Sequence, residues 1–192
     1  MSRISSKPDN EYPWWIRLFF RSQYKKYGQV LEPAKIWARI PRVFLGVAAL
    51  YGGLDRKSSN IDPVLRALIT VRISQINWCT FCVDINSATV LKRGGTDKKL
   101  EDLDNFLDSP HFSDIEKAAL EYAEAVTYTD RQVTDELFDK VKQHFDDDGI
   151  VDLTGLIAFQ NLSSKFNASL DVMPQGFCKI APQPSEADAE KE

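Results

Sequence analysis

Cysteine is scarce in this chain, at three residues of 192, and histidine scarcer still at two. Three cysteines cannot staple a small disulfide scaffold. Two histidines leave little for a multi-imidazole metal centre. Glycine and proline stand at nine each, which excludes a collagen-like or low-complexity chain. The longest apolar run, residues 43–51, is nine residues and contains Gly46, far short of the roughly 20 that a membrane-spanning helix needs. The aromatic run at 14–20 is interrupted by Arg17 and comes too late for a secretory core. The expectation is a cytoplasmic chain without a membrane span. Phosphate-binding glycine loops, H-E-x-x-H and G-x-S-x-G are all missing. Asp146-Asp147-Asp148 lacks the ligand positions that complete a calcium loop. No cofactor and no resident metal are expected.

What is present is globular in composition, with 43% apolar and 27% charged residues and a net charge of −4. The charge is unevenly spread. Residues 1–57 carry 11 Lys/Arg against 4 Asp/Glu, a net of +7, whereas 58–181 carry 12 against 20, a net of −8. No nucleic-acid motif accompanies the basic segment, so nucleic acid is not expected as a partner. A basic surface meeting an acidic one on a second copy suits a homo-oligomer. Trp14, Trp15, Phe19 and Phe20 crowd both sides of the stripe Arg17/Arg21/Lys25 and make a wide apolar arc for that contact.

Helical periodicity runs through almost the whole chain. The pattern predicts helices over 13–27, from Pro33 with a break at Pro41, over 64–76, 79–93, 96–107, 114–128, 134–144 and 150–170. Asp62-Pro63 and Ser113 with Glu116 are N-terminal signals, and Gly28 is a stop. Clustered Val, Ile and Thr at 69–73 leave a strand there as the alternative. The reading is an all-α fold of about eight helices, with one helical domain over 12–181. A flexible N-terminal tail is expected over 1–11 and a disordered acidic tail over 182–192.

The chemistry stands at Cys79-Thr80-Phe81-Cys82. The i, i+3 spacing puts both sulfurs on one face, near enough to form a disulfide. At a helix start, free N–H groups and the positive end of the dipole stabilise a thiolate, the nucleophilic form. Such a thiolate attacks a peroxide or disulfide, and its neighbour resolves the product. In thioredoxin-like chains the motif follows a strand, and here it lies between helices. Two plainer readings stand beside this one. Both cysteines can be packing residues, or a zinc site can form, which would have to recruit from Cys178, His111 and His144. Cys178 on its own reads as a spectator.

The stretch Leu65-Arg66-Ala67-Leu68-Ile69-Thr70-Val71-Arg72-Ile73-Ser74-Gln75-Ile76-Asn77-Trp78-Cys79-Thr80-Phe81-Cys82, with 83–95, 112–123 and 150–170, resembles the alkyl hydroperoxidase D-like branch of the carboxymuconolactone decarboxylase family. The likeness spans about 12–178. It implies an all-helical fold, self-association, and a redox pair in which Cys82 reacts with a hydroperoxide and Cys79 resolves it, with an external dithiol as reductant. The branch's relay Glu falls on Ala67 and its relay His on Asn86, and the His often found between the cysteines is replaced by Thr80 or Phe81. Alanine moves no proton, and Asn86 can orient a substrate but does not titrate. His111, Glu121 and Tyr122 are the candidates for a substitute relay. The alternative function is an oligomeric helical protein with a decayed relay. Lactone decarboxylation has no support in these residues.

Overall fold

The computed structural model describes residues 2–180, so the expected tail at 182–192 lies outside the described residues. The described residues form nine α-helices: α1 (Trp14–Tyr27), α2 (Glu32–Trp37), α3 (Pro41–Leu54), α4 (Pro63–Ile76), α5 (Thr80–Lys92), α6 (Asp97–Glu101), α7 (Asp114–Thr127), α8 (Asp135–Lys142) and α9 (Asp147–Ser169). Short 3-10 turns stand at Asp9–Glu11 and Leu103–Asn105, and no strand occurs among them.

Helix α4 is the axis around which the others pack. Asp62 caps it, its carboxylate accepting from the N–H groups of Val64 at 2.8 Å and Leu65 at 3.1 Å, and Pro63 supplies a pre-set first residue. Eleven of its fourteen residues are buried, because α5, α7 and α9 surround it. That settles Ile69–Ile73 as helix: an element enclosed on all faces reads as a continuous apolar run, which periodicity alone cannot tell from a strand. Burial of Arg66 and Arg72 on this helix is made tolerable by partners. Arg66 donates to the Arg56 carbonyl at 2.9 Å, and Arg72 Nε donates to Glu124 at 2.7 Å. Glu124 also receives Arg131 at 2.7 Å.

Helix α7 carries the Ser113/Glu116 capping box that the spacing indicates. Helix α9 begins earlier than expected: Asp146 caps it, accepting from the Gly149 N–H at 2.8 Å, so Asp148-Gly149 lies in the first turn rather than between helices. The helix expected over 96–107 divides into α6 and a 3-10 turn. Within residues 2–11, the Arg3 N–H donates to the Leu170 carbonyl at 2.8 Å and the Lys7 N–H donates to the Tyr12 hydroxyl at 3.0 Å.

Three apolar clusters result. The largest joins α4, α7 and α9 through Leu68, Ile69, Leu120, Leu153 and Ile157. A second ties α1, α2 and α3 through Ile16, Phe20, Ala34 and Phe44. The third gathers Ile36, Phe81 and Val172 around Cys79 and Cys82.

The turn after α5 tests the packing directly. A Cβ on Gly95 would overlap Val90 Cγ1 and stand 3.0 Å from the Val90 carbonyl and 3.1 Å from Val64 Cγ1. Gly95→Ala is expected to cost about 1–3 kcal/mol, as overpacked sites do. Thermal unfolding read by circular dichroism checks it, and an unchanged melting temperature would contradict the close approach.

Candidate active site

Helix α4 stops at Ile76, and Asn77 and Trp78 make the turn into α5. Trp78 adopts φ +55°, a left-handed conformation rare for a bulky residue, and is itself partly exposed. The break is held from both sides. Asn77 Nδ2 donates to Asn161 Oδ1 at 2.8 Å and Ser164 Oγ at 2.9 Å on α9, and the Cys79 N–H donates to the Ser74 carbonyl at 2.9 Å. Cys79 therefore lands at the N-cap of α5, where its Sγ accepts from the Cys82 N–H at 3.2 Å. A sulfur at this position meets the positive end of the helix dipole.

Cys79 and Cys82 are joined in a disulfide with their Cα atoms 5.2 Å apart, a usual separation. Both are buried, at 1% and 3% exposure. They are not equivalent. Cys82 forms part of the wall of a cleft of about 370 Å³, whereas Cys79 is not among its lining residues. The opposite walls come from the N-terminal helices: Phe19, Trp37, Phe44 and Tyr51 face Phe81 and Phe159 across an apolar space. Trp37 is fixed by stacking on Phe166 at 3.5 Å between ring centroids. The lining holds no carboxylate and no imidazole; its titratable groups are Lys26, Tyr27 and Tyr51. Tyr51 donates to Asp55 at 3.3 Å, and partial desolvation of its half-exposed side chain together with that carboxylate holds its phenol above the usual range.

Asn86 stands on the cleft wall with Cys82, and its Nδ2 donates to Ser74 Oγ at 3.4 Å. Ser74 also receives Gln160 Nε2 at 2.9 Å and donates to the Thr70 carbonyl. Ala67 is buried in the main core and does not reach the cleft. None of the three candidate relay residues lines the cleft. His111 stands 3.9 Å from Asp102, Glu121 pairs with Lys140 at 3.2 Å, and the Tyr122 hydroxyl is bonded to Thr154 at 2.9 Å. Among the described residues, no group of three or more His, Cys, Asp or Glu could hold a metal ion. Cys178 is a free thiol, pushed up by burial and then by the Asp84 charge, which makes it a poor nucleophile.

Two residues of the site escaped the sequence reading. Asn167 on α9 donates through Nδ2 to Cys82 Sγ at 3.3 Å. Its signal was there, as polar Gln160, Ser163 and Asn167 recur at helical spacing along α9. Asp84, two residues past Cys82, is buried and accepts three backbone N–H groups: Gln175 at 2.9 Å, Gly176 at 2.8 Å and Cys178 at 2.7 Å. It fastens the C-terminal segment, whose Val172 and Phe177 pack in the disulfide cluster.

Residues 41–125 match the carboxymuconolactone decarboxylase family. The uncharacterized protein YnjA of Escherichia coli (strain K12) is 46% identical over 156 residues, 81% of this chain and 86% of that protein. This chain belongs to the carboxymuconolactone decarboxylase family. Two solved structures are similar in fold. An uncharacterized peroxidase-related protein from Ralstonia eutropha JMP134, described as an alkylhydroperoxidase AhpD core, superimposes with a TM-score of 0.80 at 24% identity, covering 92% of this chain and 94% of its own. An uncharacterized peroxidase-related protein from Silicibacter sp. TM1040 gives 0.82 at 21% identity, covering 96% of each. The fold is therefore all-α and alkyl hydroperoxidase D-like, as the resemblance implied.

The Asp84 clamp yields a test. Asp84→Ala leaves three donors without their acceptor and is expected to cost about 2 kcal/mol or more. Chemical denaturation measures the loss, and limited proteolysis should show faster cleavage within 173–179. Equal cleavage in both proteins would mean that the apolar contacts alone hold the segment.

Proposed function

We propose that this chain is a thiol-dependent peroxidase of a reducing cytoplasm. The observation that carries the reading is the Cys79–Cys82 pair at the start of α5, with Cys82 on the cleft wall and Cys79 behind it. In the reduced protein the Cys82 thiolate attacks the hydrogen-bearing oxygen of a hydroperoxide. An S–O bond forms, the O–O bond breaks, and the alkoxide leaves and takes a proton from water. Cys79 then attacks the Cys82 sulfur, forming the disulfide and releasing water. An external dithiol returns two electrons and two protons to the pair by disulfide exchange. The family membership and the peroxidase-related descriptions of its structural neighbours support this reading. The absence of carboxylate and imidazole from the cleft lining supports a second one, an assembly protein whose thiols are inert.

Mass spectrometry after one equivalent of hydroperoxide separates the two. The expected result is a Cys79–Cys82 disulfide with peroxide consumed, no reaction in Cys82→Ser, and a trapped Cys82 sulfenic acid in Cys79→Ser. Reduced thiols and intact peroxide in the wild-type protein would leave the assembly reading.

Self-association through the N-terminal helices belongs to the same proposal. Of the four aromatics singled out, Phe20 turns into its own subunit and Trp15 packs against Phe44, while Trp14 stays 67% exposed and Phe19 is exposed in part. The larger part of the free surface is α3, where Val43, Leu45 and Leu50 are exposed and Phe44 alone is buried. Soluble monomers rarely leave so apolar a patch in water. The +7 segment that carries it complements residues 58–181 of a second copy, which carry a net of −8. Light scattering is expected to give an oligomer for the full chain and a smaller species for Leu45→Glu with Leu50→Glu. A monomeric wild-type protein would refute the association, and an unchanged oligomer in the variant would refute the role of α3.

A further inference from the structure

The cleft wall carries no carboxylate and no imidazole to play the part of the missing Glu and His, yet one side chain touches the sulfur that would react. Asn167 is 2% exposed, lines the cleft, and donates through Nδ2 to Cys82 Sγ at 3.3 Å. Its other terminal atom, Oδ1, is buried and has no hydrogen-bond partner. Buried acceptors are almost always paired, so one left open beside a reactive sulfur is unusual. Asn86 is engaged elsewhere, with Ser74.

We propose that Asn167 is a catalytic residue that serves Cys82 by hydrogen bonding alone, in place of a titrating relay; this rests on the peroxidase reading above. The two ends of its amide have complementary tasks. Nδ2 donates to the Cys82 thiolate and stabilises it, since a hydrogen bond to an ionised acceptor is stronger than one to a neutral acceptor. Oδ1 accepts the O–H of the hydroperoxide. That places the oxygen bearing the hydrogen beside Cys82 Sγ, and this is the oxygen the thiolate must attack. The S–O bond then forms as the O–O bond breaks. The amide keeps its own protons throughout, and the departing alkoxide takes its proton from water in the cleft. An amide has no pKa in the working range, so the pH dependence of the first step should follow the Cys82 thiol alone. A carboxylate–imidazole relay would add further titrations.

The experiment uses the full chain with Cys178→Ser, reduced, with and without Asn167→Ala. Two quantities are read: the pH midpoint of Cys82 alkylation by iodoacetamide, from the mass of its peptide, and the rate of disulfide formation with hydrogen peroxide per thiolate present. Asn167→Ala is expected to raise the midpoint by about one unit, the scale of a lost hydrogen bond to a charged group. It is expected to slow the peroxide step about tenfold at equal thiolate, the scale of one lost hydrogen bond to the substrate. Asn167→Asp should raise the midpoint further, since a carboxylate repels the thiolate. If Asn167→Ala does not fold, Asn167→Ser, which keeps a small polar side chain, takes its place. An unchanged midpoint and rate in a folded variant overturn the proposal, and a shifted midpoint with an unchanged rate overturns the role given to Oδ1. A wild-type protein that forms no disulfide with peroxide fails the peroxidase reading, while the alkylation midpoint still decides the Cys82–Asn167 contact.

Discussion

Two packed helices, α4 and α5, meet at Asn77 and Trp78, and the backbone path through that pair decides where both sulfurs lie. Continuing α4 without a break would carry Cys79 and Cys82 into its final turn, with their N–H groups used in the helix. The left-handed Trp78 instead lets the chain restart, so Cys79 becomes an N-cap and its sulfur receives the Cys82 N–H. A tryptophan held at positive φ is strained, and such strain persists only where the surroundings over-determine it. Here they do: Asn77 is pinned by Asn161 and Ser164, and the Cys79 N–H by the Ser74 carbonyl.

Helix α9 is the second support of the site. It packs against α4 and α5, and its inner face presents amides and hydroxyls to them. Gln160, Ser164 and Asn167 are all buried, and each hydrogen-bonds to α4, to the break or to Cys82. A buried polar network of this kind fixes one arrangement, because every alternative strands a donor or acceptor. The price is a site with little proton-transfer capacity of its own. That is consistent with alanine and asparagine at positions 67 and 86, where the family branch carries titrating groups.

The N-terminal helices complete the cleft, and Ile36 of α2 packs with the two cysteines. Their aromatic side chains face Cys82 across the cavity and form a separate apolar cluster below. Part of the same helices, chiefly α3, is left apolar and exposed. The wall opposite Cys82 and the exposed apolar surface are thus properties of one stretch of chain.

Much of this was legible in the residues. Caps at Asp62 and Ser113, the stop at Gly28 and the apolar periodicity are local signals, and local signals survive without tertiary context. The C-x-x-C spacing likewise fixes two sulfurs within bonding reach on one helix turn. Other features depended on elements far apart in sequence. Residues 69–73 are helical because neighbouring helices enclose them. His111, Glu121 and Tyr122 could be named as relay candidates but not placed, and none of them lines the cleft. Asn167 lies 85 residues from Cys82 and Asp84 about 90 from the segment it holds. By itself, the sequence determined most of the helices, the cysteine pair and its place at a helix start, since these follow from spacing within a few turns. Only the tertiary structure decided which sulfur faces the cleft and which distant amide meets it, because both depend on how α9 and the N-terminal helices pack against α5.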